Sequence, residues 1–395
     1  MPAKSVGSGS HCMPGNEQRT ATIGIAGKAS GAPKLREASF EDYPQIARLL
    51  TEYGLTCKQF AQWTHLWVSN PAQNQVKLPI GWVLEKTDGR IVGYLGNIPL
   101  FYELEGQRIL AATAHAWVVD AQYRVYALQL VERYYAQRGV ELFLNPTVGP
   151  ASVQAFSVFE SLPVPVGEWD HSRFWITNFP QFVAGWLAMK ELSFAKPLSY
   201  LFAVVPLKRG RLPRGTEWNE PGGWELGLCK VIDERFDVFW EVLRKVNRRL
   251  LLGVRSRQML EWHFGHALEQ GKAWILTASS GNRLLAYSIF FRHDSERFGL
   301  KRVRLVDFQS LDGDTAVLEG MLVCAFARCR NCRIDMLESI GFGPAKGTQI
   351  SKLAPYQREL PSWLYFYKAN NKGLADKLAD TQPWDPSQFD GDASL

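Results

Sequence analysis

The stretch Trp117-Val118-Val119-Asp120-Ala121-Gln122-Tyr123-Arg124-Val125-Tyr126-Ala127-Leu128 holds the residue types best suited to chemistry. An apolar strand ends there and a helix begins. The first amides of a helix have no intrahelical acceptor and sit at the positive end of its dipole, so such a junction attracts phosphate. Arg124 adds a permanent charge and a planar fork of donors. Upstream on the same strand lies His115, whose imidazole can exchange a proton near neutral pH. Its competing role is a buried histidine hydrogen-bonded within the sheet. Asn145, at the end of the next apolar run, suits either a substrate contact or a cap on the turn that follows. The pattern is an anion-binding turn beside a proton acceptor.

These residues need a frame. Lys34 to Glu37 reads as a strand, and Ser39-Phe40-Glu41-Asp42 has the form of a capping box. Pro44 fits the first helical turn, and Ile46, Leu49 and Leu50 follow at helical spacing. A Trp-rich helical segment spans 57–69. Strands over 81–86 and 90–95 flank Asp88-Gly89, a hairpin signal. A long strand covers 108–119 and a helix covers 126–138, with Leu128, Leu130, Val131, Tyr134 and Tyr135 apolar. A buried strand follows from Val140 to Leu144. Pro150 opens a helix to about 161, and Arg173 to Ile176 is a last strand. Antiparallel strands followed by a crossover helix define a mixed α/β sheet.

Much of this is written twice. Gln59-Phe60-Ala61-Gln62-Trp63 is echoed by Gln258-Met259-Leu260-Glu261-Trp262, and Trp82-Val83-Leu84 by Trp274-Ile275-Leu276. Arg90-Ile91-Val92-Gly93-Tyr94 is echoed by Arg283-Leu284-Leu285-Ala286-Tyr287, and Val119-Asp120-Ala121-Gln122 by Val306-Asp307-Phe308-Gln309. The offset drifts slowly, as loop insertions would cause. A period this long is a duplicated domain, not a solenoid. Arg124 follows the last echo in the first copy; Leu311, Asp312 and Asp314 follow it in the second. Carboxylates there would repel a phosphate, so the first copy is the expected anion site.

The junction resembles the acyl-CoA-binding motif of the GNAT acyltransferase superfamily. In that motif a strand ending aliphatic-Asp-Pro-x-Tyr-Arg runs into an Arg/Gln-x-x-Gly-x-Gly/Ala loop. Arg124 matches its basic residue and Ala127 its first glycine, while Gln129 departs from the second small residue. The Leu35-Arg36-Glu37 opening, the Asp88-Gly89 hairpin and the Gly149-Pro150-Ala151-Ser152 helix through Phe156 resemble further superfamily elements. The resemblance covers about 34–178 and, more faintly, 225–370. It implies an α/β chain of two tandem GNAT-like domains, each a mixed, mostly antiparallel sheet flanked by helices. It also implies acyl transfer from acetyl-CoA or another acyl-CoA to an amine of a small molecule or saccharide, such as an amino sugar or an envelope polysaccharide precursor. Val118, Val119, Arg124, Val125, Tyr126, Ala127 and Leu128 would then hold the co-substrate, His115 would be the base, and Asn145 and Phe156 would contact substrate. Phe156 stands where many members carry a tyrosine acid, so that proton donor is missing. Two alternatives remain open: a noncatalytic, degenerate GNAT binding protein, and a Fem-type aminoacyltransferase.

The expected organisation is a disordered tail (1–33), a first domain with the acyl-CoA site (34–190), a connecting segment (191–224), a degenerate second domain (225–370) and a polar C-terminal tail (371–395). With 46% hydrophobic and 21% charged residues the chain reads as a soluble globular protein. Its net charge of +6 suits an anionic ligand, and no DNA partner is expected. The cysteines form no disulfide framework and no signal pattern opens the chain, which points to the cytoplasm. No stretch is long enough to span a bilayer. The basic run Lys208 to Arg214 is compatible with peripheral membrane contact, and more simply with a solvated loop. Cys324, Cys329 and Cys332 lack a fourth ligand, so no metal is expected. His263 and His266 read as a surface or capping pair.

Overall fold

The computed structural model describes residues 31–189, 223–313 and 315–395; the basic run Lys208 to Arg214 and Asp314 lie outside them. Among these residues the strands form two sheets. The first takes β1 (Lys34–Glu37), β2 (Gly81–Glu85), β3 (Ile91–Leu104), β4 (Gln107–Val119) and β5 (Leu142–Val148) side by side. It is completed by β6 (Leu162–Pro163), by β15 (Leu364–Ala369), which lies between β5 and β6, and by β9 (Leu252–Gly253) on the far end of β3. The second has the order β14 (Tyr356–Glu359), β7 (His171–Ile176), β13 (Met336–Ile340), β12 (Arg302–Ser310), β11 (Arg283–Arg292), β10 (Ala273–Ser280) and β8 (Glu225–Cys229). Only β4 with β5 and β12 with β13 pair in parallel. The fold is thus α/β with mixed, mostly antiparallel sheets, as the patterning requires.

Local signals explain the entry of the chain into the fold. The amide of Ser39 donates to Asp42 Oδ2 at 2.9 Å, closing the capping box ahead of α1 (Tyr43–Glu52). That helix buries Ile46, Leu49 and Leu50. The β2–β3 turn places Gly89 at φ +80, a conformation glycine adopts without steric cost. After α2 (Phe60–Val68) and α3 (Pro71–Val76), α4 (Ala127–Tyr135) and α5 (Val153–Val158) cover the outer face of the first sheet.

Three findings differ from the sequence reading. The two sheets exchange strands: β7, expected to finish the first half, pairs with β13 and β14, and β15 pairs with β5. A boundary near residue 190 therefore separates no self-contained sheet. The C-terminal residues are not a peripheral tail, because Ser387, Gln388, Phe389 and Asp390 are buried. The last echo is also out of register. Tyr94 pairs with Val118 and Tyr287 with Gln309, so Gln309 corresponds to Val118 and Leu311 to Asp120. Asp307 faces Ile289 just as His115 faces Gly96. The structural counterpart of Asp307 is thus His115, not Asp120.

A single apolar cluster fills the space between the sheets, with Trp63, Trp67 and Tyr94 from the first half and Trp262, Tyr287 and Phe389 from the second. The echoed helices meet there. Trp262 Nε1 donates to the His65 carbonyl at 3.1 Å, and His65 Nε2 donates to the Trp262 carbonyl at 2.8 Å. Trp63 and Trp67 are core residues, not groove residues.

Candidate active site

The site is built where β4 and β5 part. Their ladder covers only Ala111 with Leu142 and Ala112 with Phe143. Beyond it Asn145 bridges the gap: its Oδ1 accepts from the Ala114 amide and from Tyr134 Oη, both at 3.2 Å, and its Nδ2 donates to Tyr135 Oη at 3.4 Å. Both lone-pair sites of Oδ1 are thus taken, and the Asn145 side chain works as a clip between the strands. On β4 the register shifts opposite Tyr94 and Gly96, and Ala116 adopts φ +55. Such a bulge re-aims the side chains around it. Gly96 permits the close approach, since a Cβ there would lie 2.7 Å from the His115 carbonyl oxygen.

His115 sits on this bulge, largely enclosed. Its Nδ1 lies 3.2 Å from Asp392 Oδ2. A carboxylate only accepts, so Nδ1 is the donor, and in the neutral ring that leaves Nε2 as the acceptor. Thr147 Oγ1, across the splay on β5, also donates to Asp392, at 3.4 Å. Two further polar groups of β4, Thr113 Oγ1 and Trp117 Nε1, are buried without a hydrogen-bond partner among the described residues. Lys58, ahead of α2, is mostly buried; burial pushes its ammonium pKa down and Asp392 opposes this. Asp392 escaped sequence reasoning because it lies 277 residues from His115 in a polar stretch. No spacing signal links them.

The Arg124 junction follows the C-terminal end of β4, beyond His115 on the same side of the splay. Residues Ala121–Tyr126 form a 3-10 helix that runs directly into α4. Asp120 caps it by accepting from the Gln122 amide, while the Ala121 amide donates to Tyr53 Oη at 2.7 Å and the Tyr123 amide to the Asp120 carbonyl. The Ala127 amide donates to the Arg124 carbonyl. These amides are committed within the chain. What the junction offers outward is the Arg124 side chain, exposed and without a charged partner among the described residues, with Val125 and Leu128 exposed beside it. Val118 and Val119 are buried, and Tyr126 and Ala127 pack partly against the core.

Phe156 is a core residue, edge-on to Trp117 at 5.8 Å between centroids. His263, expected in a surface or capping pair, is half-buried and stacks on the rings of Phe264 and Phe389. Desolvation lowers its pKa to about 3, so it stays neutral. His266 instead bonds to Gln270. A separate apolar groove of about 310 Å3 lies between helix Glu234–Val246 and the β10–β11 turn, lined by Val238, Phe239, Val242 and Leu284. Glu234 and Arg235 also line it, and His115 is not among its lining residues.

No family model matches the sequence, and no curated protein does. Solved structures do match. Saccharomyces cerevisiae N-myristoyltransferase with bound myristoyl-CoA superposes with TM-score 0.53 at 12% identity, over 87% of this chain and 79% of that one. A probable N-acyltransferase from Enterococcus faecalis gives 0.51 at 11% identity, over 86% and 72%. A GCN5-related N-acetyltransferase from Anabaena variabilis gives 0.49 at 14%, over 86% and 73%. At these identities the likeness is one of fold.

Proposed function

We propose that this chain is an acyl-CoA-dependent N-acyltransferase whose reaction takes place in the β4–β5 splay. The observation that carries the reading is His115 on the β4 bulge, its Nδ1 turned to Asp392, on the strand that leads to Arg124, which is exposed and has no charged partner among the described residues. The fold shared with N-myristoyltransferase and a probable N-acyltransferase supports it. Arg124 would meet the diphosphate of a CoA thioester, with Val125, Tyr126, Ala127 and Leu128 beside it and Val118 and Val119 backing the strand. In the transfer the amine nitrogen attacks the thioester carbonyl carbon. The C–N bond forms, the C–S bond breaks, and the electron pair leaves on sulfur. His115 Nε2 takes the proton released from nitrogen. The Phe156 ring has no proton to give, so the thiolate is reprotonated through solvent.

The acceptor is an amine, and an amino sugar, a simple alkylamine and a peptide α-amine form the panel to be tried. A noncatalytic reading, in which the fold serves as a binding module, has one observation in its favour: the amides at the junction are already committed. Thermal unfolding with acetyl-CoA and with myristoyl-CoA separates the two. A ligand at 100 times its dissociation constant adds about 2.7 kcal/mol to stability. Arg124→Ala should weaken acyl-CoA roughly 10- to 100-fold, the effect of losing one charge-assisted contact. No shift with either thioester, or a shift indifferent to Arg124, would overturn the enzymatic reading.

A further inference from the structure

The C-terminal segment is a strap that joins both halves of the molecule. It enters beside the second half, where the Leu251 amide donates to the Pro383 carbonyl and Leu251 bridges Trp384. Lys346 Nζ pairs with Asp385 Oδ2 at 2.6 Å, and the Gly343 amide donates to the Pro386 carbonyl. Ser387 Oγ then donates to Asp307 Oδ1 at 2.8 Å. Asp307 is itself locked by Arg255, with Nε to Oδ2 at 2.9 Å and Nη2 to Oδ1 at 3.1 Å, and both side chains are buried. Gln388 Nε2 donates to the Ile340 carbonyl, and the Arg255 guanidinium lies over the Phe389 ring at 4.5 Å.

From that anchor the strap crosses to the first half. The Gly391 amide donates to Tyr102 Oη at 3.1 Å. Gly391 lies so close to β5 that a Cβ would come within 2.6 Å of Pro146 Cδ. The next residue is Asp392, on His115. A few residues further Ser394 Oγ donates to the Gln388 carbonyl and accepts from His263 Nε2 at 2.9 Å, folding the segment back on itself. The strap thus touches the same position of the two equivalent strands. In the second half that position is Asp307, met by Ser387; in the first it is His115, met by Asp392.

We propose that Asp392 is the positioning residue of His115, and that the second half takes part in the reaction by holding Asp392 in place through the strap. This rests on the acyltransferase reading. The carboxylate keeps the proton on Nδ1, so that Nε2 is the free acceptor, and it faces the imidazolium that forms when Nε2 takes the amine proton. The buried Arg255–Asp307 pair is the fixed point. Removing one partner would leave a buried charge unpaired, whereas replacing both by apolar residues tends to preserve folding.

Nitrogen-15 NMR of histidine-labelled full-length protein reads the tautomer directly. Wild-type protein should show His115 as Nδ1–H. Asp392→Ala should lose that signature, and so should the pair Arg255→Met with Asp307→Leu while keeping a cooperative melt. In turnover with whichever of acetyl-CoA or myristoyl-CoA stabilises the protein, Asp392→Ala should lower kcat about 100-fold or more, within the usual range for general-base catalysis. KM for the thioester should stay within about twofold, as expected when the lost interaction does not touch the CoA. An Nδ1–H tautomer that persists in Asp392→Ala, or an unchanged kcat, would overturn the proposal. Absence of any acyl-CoA stabilisation in wild-type protein would instead count against the acyltransferase reading, whatever the tautomer shows.

Discussion

At the scale of single residues, the strap contains a carboxyl that resists ionisation. Asp390 is fully enclosed, and burial raises its pKa from the ordinary aspartate value to about 6, with Arg255 opposing. The unfolded chain releases this proton near pH 4 and the folded chain near pH 6. The folded state therefore holds more protons in that window, and the contribution of Asp390 to stability falls as pH rises from 4 to 6, then stays level. Asp390→Asn mimics the protonated acid and can still accept from the Ser387 amide, which now meets Asp390 Oδ2 at 2.8 Å. Relative to wild type the variant should gain stability across that window, by an amount on the order of 3 kcal/mol above pH 6. Urea unfolding at pH 4 and pH 7.5 checks it, and an equal effect at both values would refute the raised pKa. Residues of this kind are poorly legible in sequence. His115 stood out because a histidine on an apolar strand beside an arginine turn is uncommon chemistry. Asp390 and Asp392 sit among Ser, Gln and Gly, and their partners Arg255, Tyr102 and His115 are remote in the chain.

At the scale of elements, hairpins and caps were legible because their signals are local. Asp88-Gly89 turns where turn chemistry demands, and Ser39 with Asp42 starts its helix. Register was not legible. The echo between Val119-Asp120 and Val306-Asp307 misaligns the strand ends because a bulge is a matter of spatial pairing, invisible in residue identity. The strap is the element most exposed to a one-atom test. Gly391 has φ +59, and an added Cβ would strike Pro146 Cδ and Cγ and approach Thr113 Oγ1. Gly391→Ala must therefore pay for a left-handed backbone and for a clash with a strand. A loss of roughly 2 kcal/mol or more is expected, at the upper end of ordinary point substitutions. Hydrogen exchange should show the increased opening confined to the strap and the adjacent ends of β4 and β5. A stability within about 0.5 kcal/mol of wild type, the range of neutral surface changes, would show that the strap does not lie in the splay.

At the scale of the whole molecule, two sheets of like architecture suggest two units, but the strand exchange makes them one. β7 leaves the first half to pair with β13 and β14, and β15 returns from the second to pair with β5 and β6. Tyr365, Phe366 and Tyr367 of β15 are buried, as are Phe174 and Trp175 of β7. Each such aromatic side chain contributes about 2 kcal/mol on burial. Losing three of them removes on the order of 6 kcal/mol, comparable with the whole net stability of a typical domain. The central cluster between the sheets would also be exposed by separation. Fragments 31–189 and 223–395, expressed separately, should accordingly show no cooperative thermal transition by circular dichroism. Expressed together they should assemble and melt as one body, because every strand among the described residues then has its partner. A cooperative melt of either fragment alone would mean that the exchanged strands and the shared core contribute far less than their burial implies. Under the proposed mechanism the same experiment has a chemical reading: only the assembled pair carries both His115 and the strap that brings it Asp392.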